Sequence, residues 1–430
     1  MVETIENGSP AGFVVVPASK SHTIRALLIA TLADGESRIH GALESRDAAS
    51  CALACRMLGA QITVKRSNTG NELIVRGVAG KPRIPDNVID VGNSGTTLFL
   101  TTSVAALADG WTVFTGDAQT RRRSAEPLLQ TLNALGAKCF TTRNNGCAPY
   151  CIHGPMSGGN TSISCPTSQY LSSLLLALPL ARKDSKLTVP LLNERPYVEM
   201  TLKWLTDAGI RVRREGWSKF FIAGGQSYAP FEITVPGDFS SATFFFCAAA
   251  VAGTRIVVEN LDRSDTQGDK EVLGVLEQMG CTVEDVENGI AVTGPRAAGK
   301  DLVGGVFDLN SMPDALPALA ATACYAEGTT KITNVPQARE KETDRIAVMT
   351  KELRAMGAKI EEDVDGLTIE GTPLTGSAVG SHDDHRVAMA LAIAALGASG
   401  PTRISGAECA AVTYPGFFDE LRRLSSIAED

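Results

Sequence analysis

Five times along this chain a helix-like run closes on an apolar residue and a glycine, then alternates apolar and polar positions through two short strands around a polar turn. The copies read LGAQITVKRSNTGNELIVRG from Leu58, LGAKCFTTRNNGCAPYCIHG from Leu135, AGIRVRREGWSKFFIAGG from Ala208, MGCTVEDVENGIAVTGP from Met279 and MGAKIEEDVDGLTIEG from Met356. Alternation with period two predicts half-buried strands. The glycine fits the C′ position of a helix, where φ is positive, and NTG, NNG, ENG and VDG fit hairpin turns. Gly59, Gly136, Gly209, Gly280 and Gly357 lie 77, 73, 71 and 77 residues apart. A period of about 75 is one complete supersecondary unit of helix plus hairpin. The 430 residues hold just under six units, so the sixth is divided between the chain ends. FFDELRRLSS supplies its helix and AGFVVVPAS its strand, and the two ends meet in one domain.

Between the hairpins, six short polar clusters each precede a helix pattern that is apolar all round. They are Ser19-Lys20-Ser21, Asn93 to Thr96, Thr167-Ser168-Gln169, Asp238 to Ser241, Pro313-Asp314 and Asp384-His385-Arg386. A helix apolar on every face is a buried helix. Its N-terminus carries unbonded N–H groups and the positive end of the dipole. Three such termini per domain, aimed at one cleft, make an anion trap built from backbone. Ser, Thr, Asn and Asp are also ordinary N-caps, so both readings of these clusters stand.

Composition narrows the chemistry. A chain of this length predicts two domains of about 200 residues. It is 44% hydrophobic and 20% charged, with no run of 18 uncharged apolar residues, so no membrane span is expected. MVETIENGSP has neither the apolar stretch of a secretory leader nor the Arg/Ser character of a transit peptide, which points to the cytoplasm. The ten cysteines lack zinc-site spacing and read as reduced and structural. A net charge of −8 argues against a nucleic-acid partner. An anionic substrate therefore needs a local basic cluster. Lys20, Arg25, Arg123, His385 and Arg386 supply one, and Arg suits bidentate recognition of phosphate and carboxylate. In AREKETDR, Lys341, Glu342 and Arg345 are placed on the first turn and a half of a helix, with Glu342 and Arg345 on one face. Asp314 stands at the mouth of a buried helix. No Walker loop, dinucleotide fingerprint or metal-ligand spacing appears.

The motifs PASKSHTIRALL, DVGNSGTT, TSQYLSSLLLALP, RPYVEMTL, GDFSSATFF, MPDALPALA, REKETDR and DDHRVAMA occur in order over nearly the whole chain. Through them the chain resembles the EPSP synthases (3-phosphoshikimate 1-carboxyvinyltransferases), which are enolpyruvyl transferases. The resemblance implies an α/β fold of two domains, an inside-out α/β barrel of six helix-plus-hairpin repeats, three per domain, with the helices buried. Residues 1–17 plus 237–430 would form one domain and 18–236 the other, with hinges near 17–20 and 235–238. It also implies transfer of the carboxyvinyl group of phosphoenolpyruvate to the 5-hydroxyl of shikimate 3-phosphate by a monomer without cofactor or metal.

Carried over residue by residue, the acceptor site would use Lys20, Ser21, Arg25, Thr167, Ser168, Gln169, Tyr197, Asp314, Gln337 and Lys341. Phosphoenolpyruvate would meet Lys20, Gly95, Arg123, Gln169, Glu342, Arg345, His385 and Arg386. Asp314 would be the base, and Glu342 or Lys20 the acid. Five positions depart from the pattern: Val412 replaces a lysine, Phe99 an arginine, and Glu194 a serine that meets the acceptor's phosphate, while Thr167 for serine and Ser124 for proline are milder changes. A carboxylate there repels a phosphate unless it turns away or pairs, and the adjacent Arg195 could take over the contact. Two other readings stay open: a transferase acting on a different hydroxyl acceptor, and a non-catalytic ligand-binding relative. The joint presence of Asp314, Glu342 and Lys20 speaks against the second.

Overall fold

All five repeat glycines have positive φ, between 83° and 108°, and each directly follows the C-terminal residue that closes a helix. They are the joints of the repeat in the computed structural model, which describes residues 1–67 and 70–426. Asn68 and Thr69 of the first predicted turn lie outside the described residues.

In chain order the helices are α1 Lys20–Leu32, α2 Arg46–Met57, α3 Gly95–Ala105, α4 Glu126–Ala134, α5 Ser168–Ala177 and α6 Arg195–Asp207. The second half adds α7 Phe239–Ala252, α8 Val272–Gln278, α9 Leu316–Ala323, α10 Arg345–Ala355, α11 His385–Leu396 and α12 Phe417–Ser426. They alternate in kind. The odd-numbered helices follow the polar clusters and are enclosed almost entirely; every residue of α9 and α11 is buried. The even-numbered ones keep one polar face, as in α6, where Lys203 and Asp207 pair in solvent. None of the described helices is long and apolar enough to cross a membrane.

Each full repeat is strand, buried helix, strand, amphipathic helix, hairpin. Around α3 and α4, for example, Ile89–Asp90 runs parallel to Trp111–Thr115, which pairs antiparallel with Tyr150–His153, and that strand pairs with Lys138–Thr141. The same order of pairing recurs in four other four-stranded sheets. The chain forms two compact units, Met1–Pro17 with Pro236–Asp430, and Ala18–Val235, each with its own hydrophobic core.

The sixth repeat differs from expectation in its strand. Thr402–Ser405 is completed by Val2–Ile5, whereas Gly12–Val15 pairs with Arg255–Glu259 in the sheet of α7. Gly12–Val15 (GFVV) carries the stronger apolar signal, whereas Val2–Ile5 (VETI) alternates with polar residues, and only the tertiary pairing assigns each to its sheet. The chain ends do meet: Arg422 bonds Glu3 at 2.7 Å, and the Gly406 N–H donates to Met1 O at 2.9 Å.

A second glycine closes each hairpin: Gly77, Gly154, Gly224, Gly294 and Gly371. A Cβ at any of them would come closer than 3.0 Å to a backbone carbonyl at or near the C-terminal end of the buried helix of its repeat, such as Ala106 O or Ala326 O. Hairpin and helix thus approach to backbone contact. Gly371→Ala should therefore destabilise the fold by about 1–3 kcal/mol through overpacking. Gly274→Ala, in α8 with nothing within 4 Å of its Cβ, should add up to about 1 kcal/mol of stability. Opposite shifts of the two urea midpoints are the expected result; equal shifts would contradict the backbone contact.

Candidate active site

Five of the six polar clusters cap their helices. Ser19, Ser94, Thr167, Asp238 and Asp384 each accept a backbone N–H two or three residues ahead. Capping uses one side chain of each cluster and leaves its neighbours available for chemistry.

In the unit Ala18–Val235, Lys20 opens α1 with its Nζ 3.4 Å from Asp47 Oδ2, and both side chains are largely enclosed. Arg25, one turn further along, is buried with three donors on neutral oxygens: Thr201 Oγ1 at 2.9 Å, and Ser21 O and Tyr197 O at 3.0 Å. Burial lowers its pKa to about 10, so it remains a cation at neutral pH, and among the described residues no carboxylate pairs with it. Tyr197 and Ser21 enter this arrangement through their carbonyls. Gly95 begins α3 with the Arg123 guanidinium lying against it; a Cβ would fall within 3.0 Å of Arg123. Gln169 Nε2 reaches Thr96 Oγ1 at 3.4 Å, linking α5 to α3.

Thr167 and Ser168 bond the Glu194 carboxylate: Glu194 Oε2 accepts from Ser168 Oγ at 2.7 Å, Ser168 N at 3.0 Å and Thr167 Oγ1 at 3.2 Å. Arg195 is exposed and stacks over the Trp217 ring, 6.0 Å from its centroid.

In the other unit the organising group is Arg345, fully buried. It donates to Glu342 Oε2 at 2.6 Å, Asp314 Oδ1 at 2.7 Å, and Asp384 at 2.8 and 3.2 Å. Burial works to lower its pKa, but the fields of Asp384, Glu342 and Asp314 reverse that and leave it raised. Asp314 also meets Arg386 at 3.0 Å and Lys341 at 3.9 Å. Burial opposes the charge of Arg386 too, yet its pKa is raised, chiefly by Asp314. His385 is buried beside Arg386. Gln337 is buried and anchored through Nε2 to Asn310 O at 3.0 Å.

One expectation changes here. Lys341 and Glu342 are not on a helix: α10 starts at Arg345, capped by Asp344, which accepts from Ala347 N at 3.0 Å. The Glu342–Arg345 pair is enclosed, with side-chain exposures of 10% and 1%. Asp47, Asp384 and Thr343, which donates to Asp384 at 3.0 Å, belong to these clusters and were not among the expected site residues. The cap signal at Asp384 was readable; its second task, holding Arg345, depends on a residue 39 positions away.

The EPSP synthase (3-phosphoshikimate 1-carboxyvinyltransferase) family profile matches residues 7–421. The chain belongs to the EPSP synthase family. It is 50% identical over 418 residues to the 3-phosphoshikimate 1-carboxyvinyltransferase of Ruminiclostridium cellulolyticum, covering 97% of each chain. It is 46% identical to that of Methanocella arvoryzae over the full length of both. The solved EPSP synthase of Acinetobacter baumannii superposes with a TM-score of 0.80 at 30% identity, over 99% of this chain and 98% of that one.

Two departures from the EPSP synthase pattern are explained by packing. Phe99 is buried edge-on against Tyr170, with ring centroids 5.2 Å apart, and Val412 is buried in a short 3₁₀ turn, Ala407–Val412. Both are core positions in this chain. A further brace supports Asp384 from behind. Glu352 on α10 accepts from Gly380 N at 2.9 Å and bonds His382 Nε2 at 2.8 Å, gripping the loop that ends at Asp384, in which His382 and Asp383 both have positive φ.

Burial alone would push the Glu352 carboxyl up; His382, the Gly380 N–H and Lys351 outweigh it and leave it below its ordinary 4.5. A lowered carboxyl contributes stability that is present above its unfolded value and lost as pH falls through the folded one. Glu352→Gln should therefore be less stable than the parent near neutral pH, with the difference in denaturation midpoint narrowing steadily below pH 4.5. A difference that stays constant to about pH 3 would contradict this role.

Proposed function

We propose that this protein transfers the carboxyvinyl group of phosphoenolpyruvate to the 5-hydroxyl of shikimate 3-phosphate and releases phosphate. The observation that carries the reading is Asp314, a carboxylate fixed by Arg345, Arg386 and Lys341 at 2.7, 3.0 and 3.9 Å. Neighbouring cations favour the ionised form that a general base requires. Asp314 takes the proton of the acceptor hydroxyl as its oxygen bonds C2 of phosphoenolpyruvate, while an acid protonates the methylene carbon. The tetrahedral adduct then loses a methyl proton and phosphate, which restores the double bond.

Of the two acids considered, we favour Lys20. Glu342 is tied at 2.6 Å to the Arg345 guanidinium, which stabilises the carboxylate and withholds the proton it would have to give. Lys20 has the looser tie, its Nζ 3.4 Å from Asp47 Oδ2. Arg123, Arg345, His385 and Arg386 would hold phosphoenolpyruvate, and Lys20, Ser21, Arg25, Gln169, Tyr197, Gln337 and Lys341 the acceptor. Pro17 to Lys20 and Val235 to Asp238 are the proposed hinges; the Asp238 N–H donates to Pro17 O at 2.9 Å, bonding one crossing segment to the other. The reading carries with it a cytoplasmic, monomeric enzyme using no metal or organic cofactor. A different hydroxyl acceptor is the second reading, favoured by the Glu194 carboxylate seated on Thr167 and Ser168.

Phosphate release from phosphoenolpyruvate decides between them. Release that needs shikimate 3-phosphate, is absent with plain shikimate and falls about 10²- to 10⁴-fold in Asp314→Asn is the expected result. Release that is indifferent to shikimate 3-phosphate, or undiminished in the variant, would refute it.

A further inference from the structure

The N-terminus of α5 already holds an anion. Glu194 is 2% exposed, and one oxygen of its carboxylate collects the Ser168 backbone N–H, the Ser168 hydroxyl and the Thr167 hydroxyl. These donors suit a phosphate oxygen equally well, since charge-assisted bonds from hydroxyls and a helix terminus serve any anion. Glu194 itself stands at the start of α6 in a left-handed conformation, φ 55° and ψ 44°, and its carbonyl accepts from Tyr197 N at 3.1 Å. The backbone that delivers the carboxylate is therefore fixed to the helix that also carries Tyr197, whose own carbonyl receives the buried Arg25.

We propose that Glu194 is an internal competitor for the acceptor's phosphate: its carboxylate occupies the Thr167 and Ser168 donors until the phosphate displaces it, and it thereby sets the affinity for a phosphorylated acceptor. This rests on shikimate 3-phosphate being the acceptor. A phosphate dianion and a carboxylate cannot share one set of donors, because repulsion at contact distance in a buried site is large. Binding therefore includes turning Glu194 out, and the donors it gives up are regained by the phosphate. The net cost is the loss of the carboxylate's own bonds, which weakens phosphorylated acceptors and leaves unphosphorylated ones untouched. A structural cap would behave otherwise, affecting every acceptor alike through stability.

Calorimetric titration of the whole protein with shikimate 3-phosphate, plain shikimate and inorganic phosphate tests this in Glu194→Ser and Glu194→Gln. The first variant empties the seat; the second keeps the shape and removes the charge, so at least one reports if the other folds poorly. Both should bind shikimate 3-phosphate and inorganic phosphate about tenfold tighter or more, with shikimate unchanged. Unchanged or weaker binding of both phosphates in folded variants would overturn the proposal. Should the parent protein release no phosphate from phosphoenolpyruvate with shikimate 3-phosphate, the acceptor reading fails on its own. The inorganic phosphate titration would still decide whether Glu194 competes for the seat.

Discussion

Six helices without a polar face can exist in water only if they are enclosed on every side, and that requirement organises this molecule. Each is wrapped by sheet and amphipathic helix, and each hairpin ends in a glycine because its backbone rests against the end of the helix it covers. Enclosure satisfies the sides of a buried helix and leaves its N-terminal N–H groups to be met. Ser19, Ser94, Thr167, Asp238 and Asp384 meet part of that need as caps. What remains is a set of positive helix ends, an arrangement that favours anions.

The two units use these ends differently. In Ala18–Val235 the balance is cationic: Lys20 has Asp47, Arg25 has only neutral oxygens, and Arg123 lies over Gly95. In the other unit three carboxylates surround one buried guanidinium. Removing Arg345 would strand Asp314, Glu342 and Asp384 together, a change of the order of 3–5 kcal/mol for a broken buried pair. That hub is a positioning device as much as a stabilising one, because Arg345 and Lys341 meet one oxygen of the Asp314 carboxylate while Arg386 meets the other.

Much of this was legible in the sequence where the signal is local. The repeat period, the left-handed glycines, the buried helices and the motif residues all follow from patterns a few residues long. What escaped depends on distant partners. Val2–Ile5 is short and half polar, so the more apolar Gly12–Val15 drew the strand assignment that the sheet pairing gives to Val2–Ile5. The charged run before Arg345 resembled a helix start, but the Asp344 cap sets the boundary after it. Glu194 was visible as a departure, while its place on Ser168 arises from a left-handed turn that no local pattern announces at a glutamate.

If buried-helix N-termini are where this protein meets its substrates, ligand protection must be confined to them. Amide hydrogen exchange with shikimate 3-phosphate and phosphoenolpyruvate added together should slow at the first turns of α1, α3, α5, α10 and α11 and around Asp314. The C-terminal turns and outer hairpin strands should exchange as before. Protection centred on the sheet faces or on the even-numbered helices away from Arg345 would contradict the account.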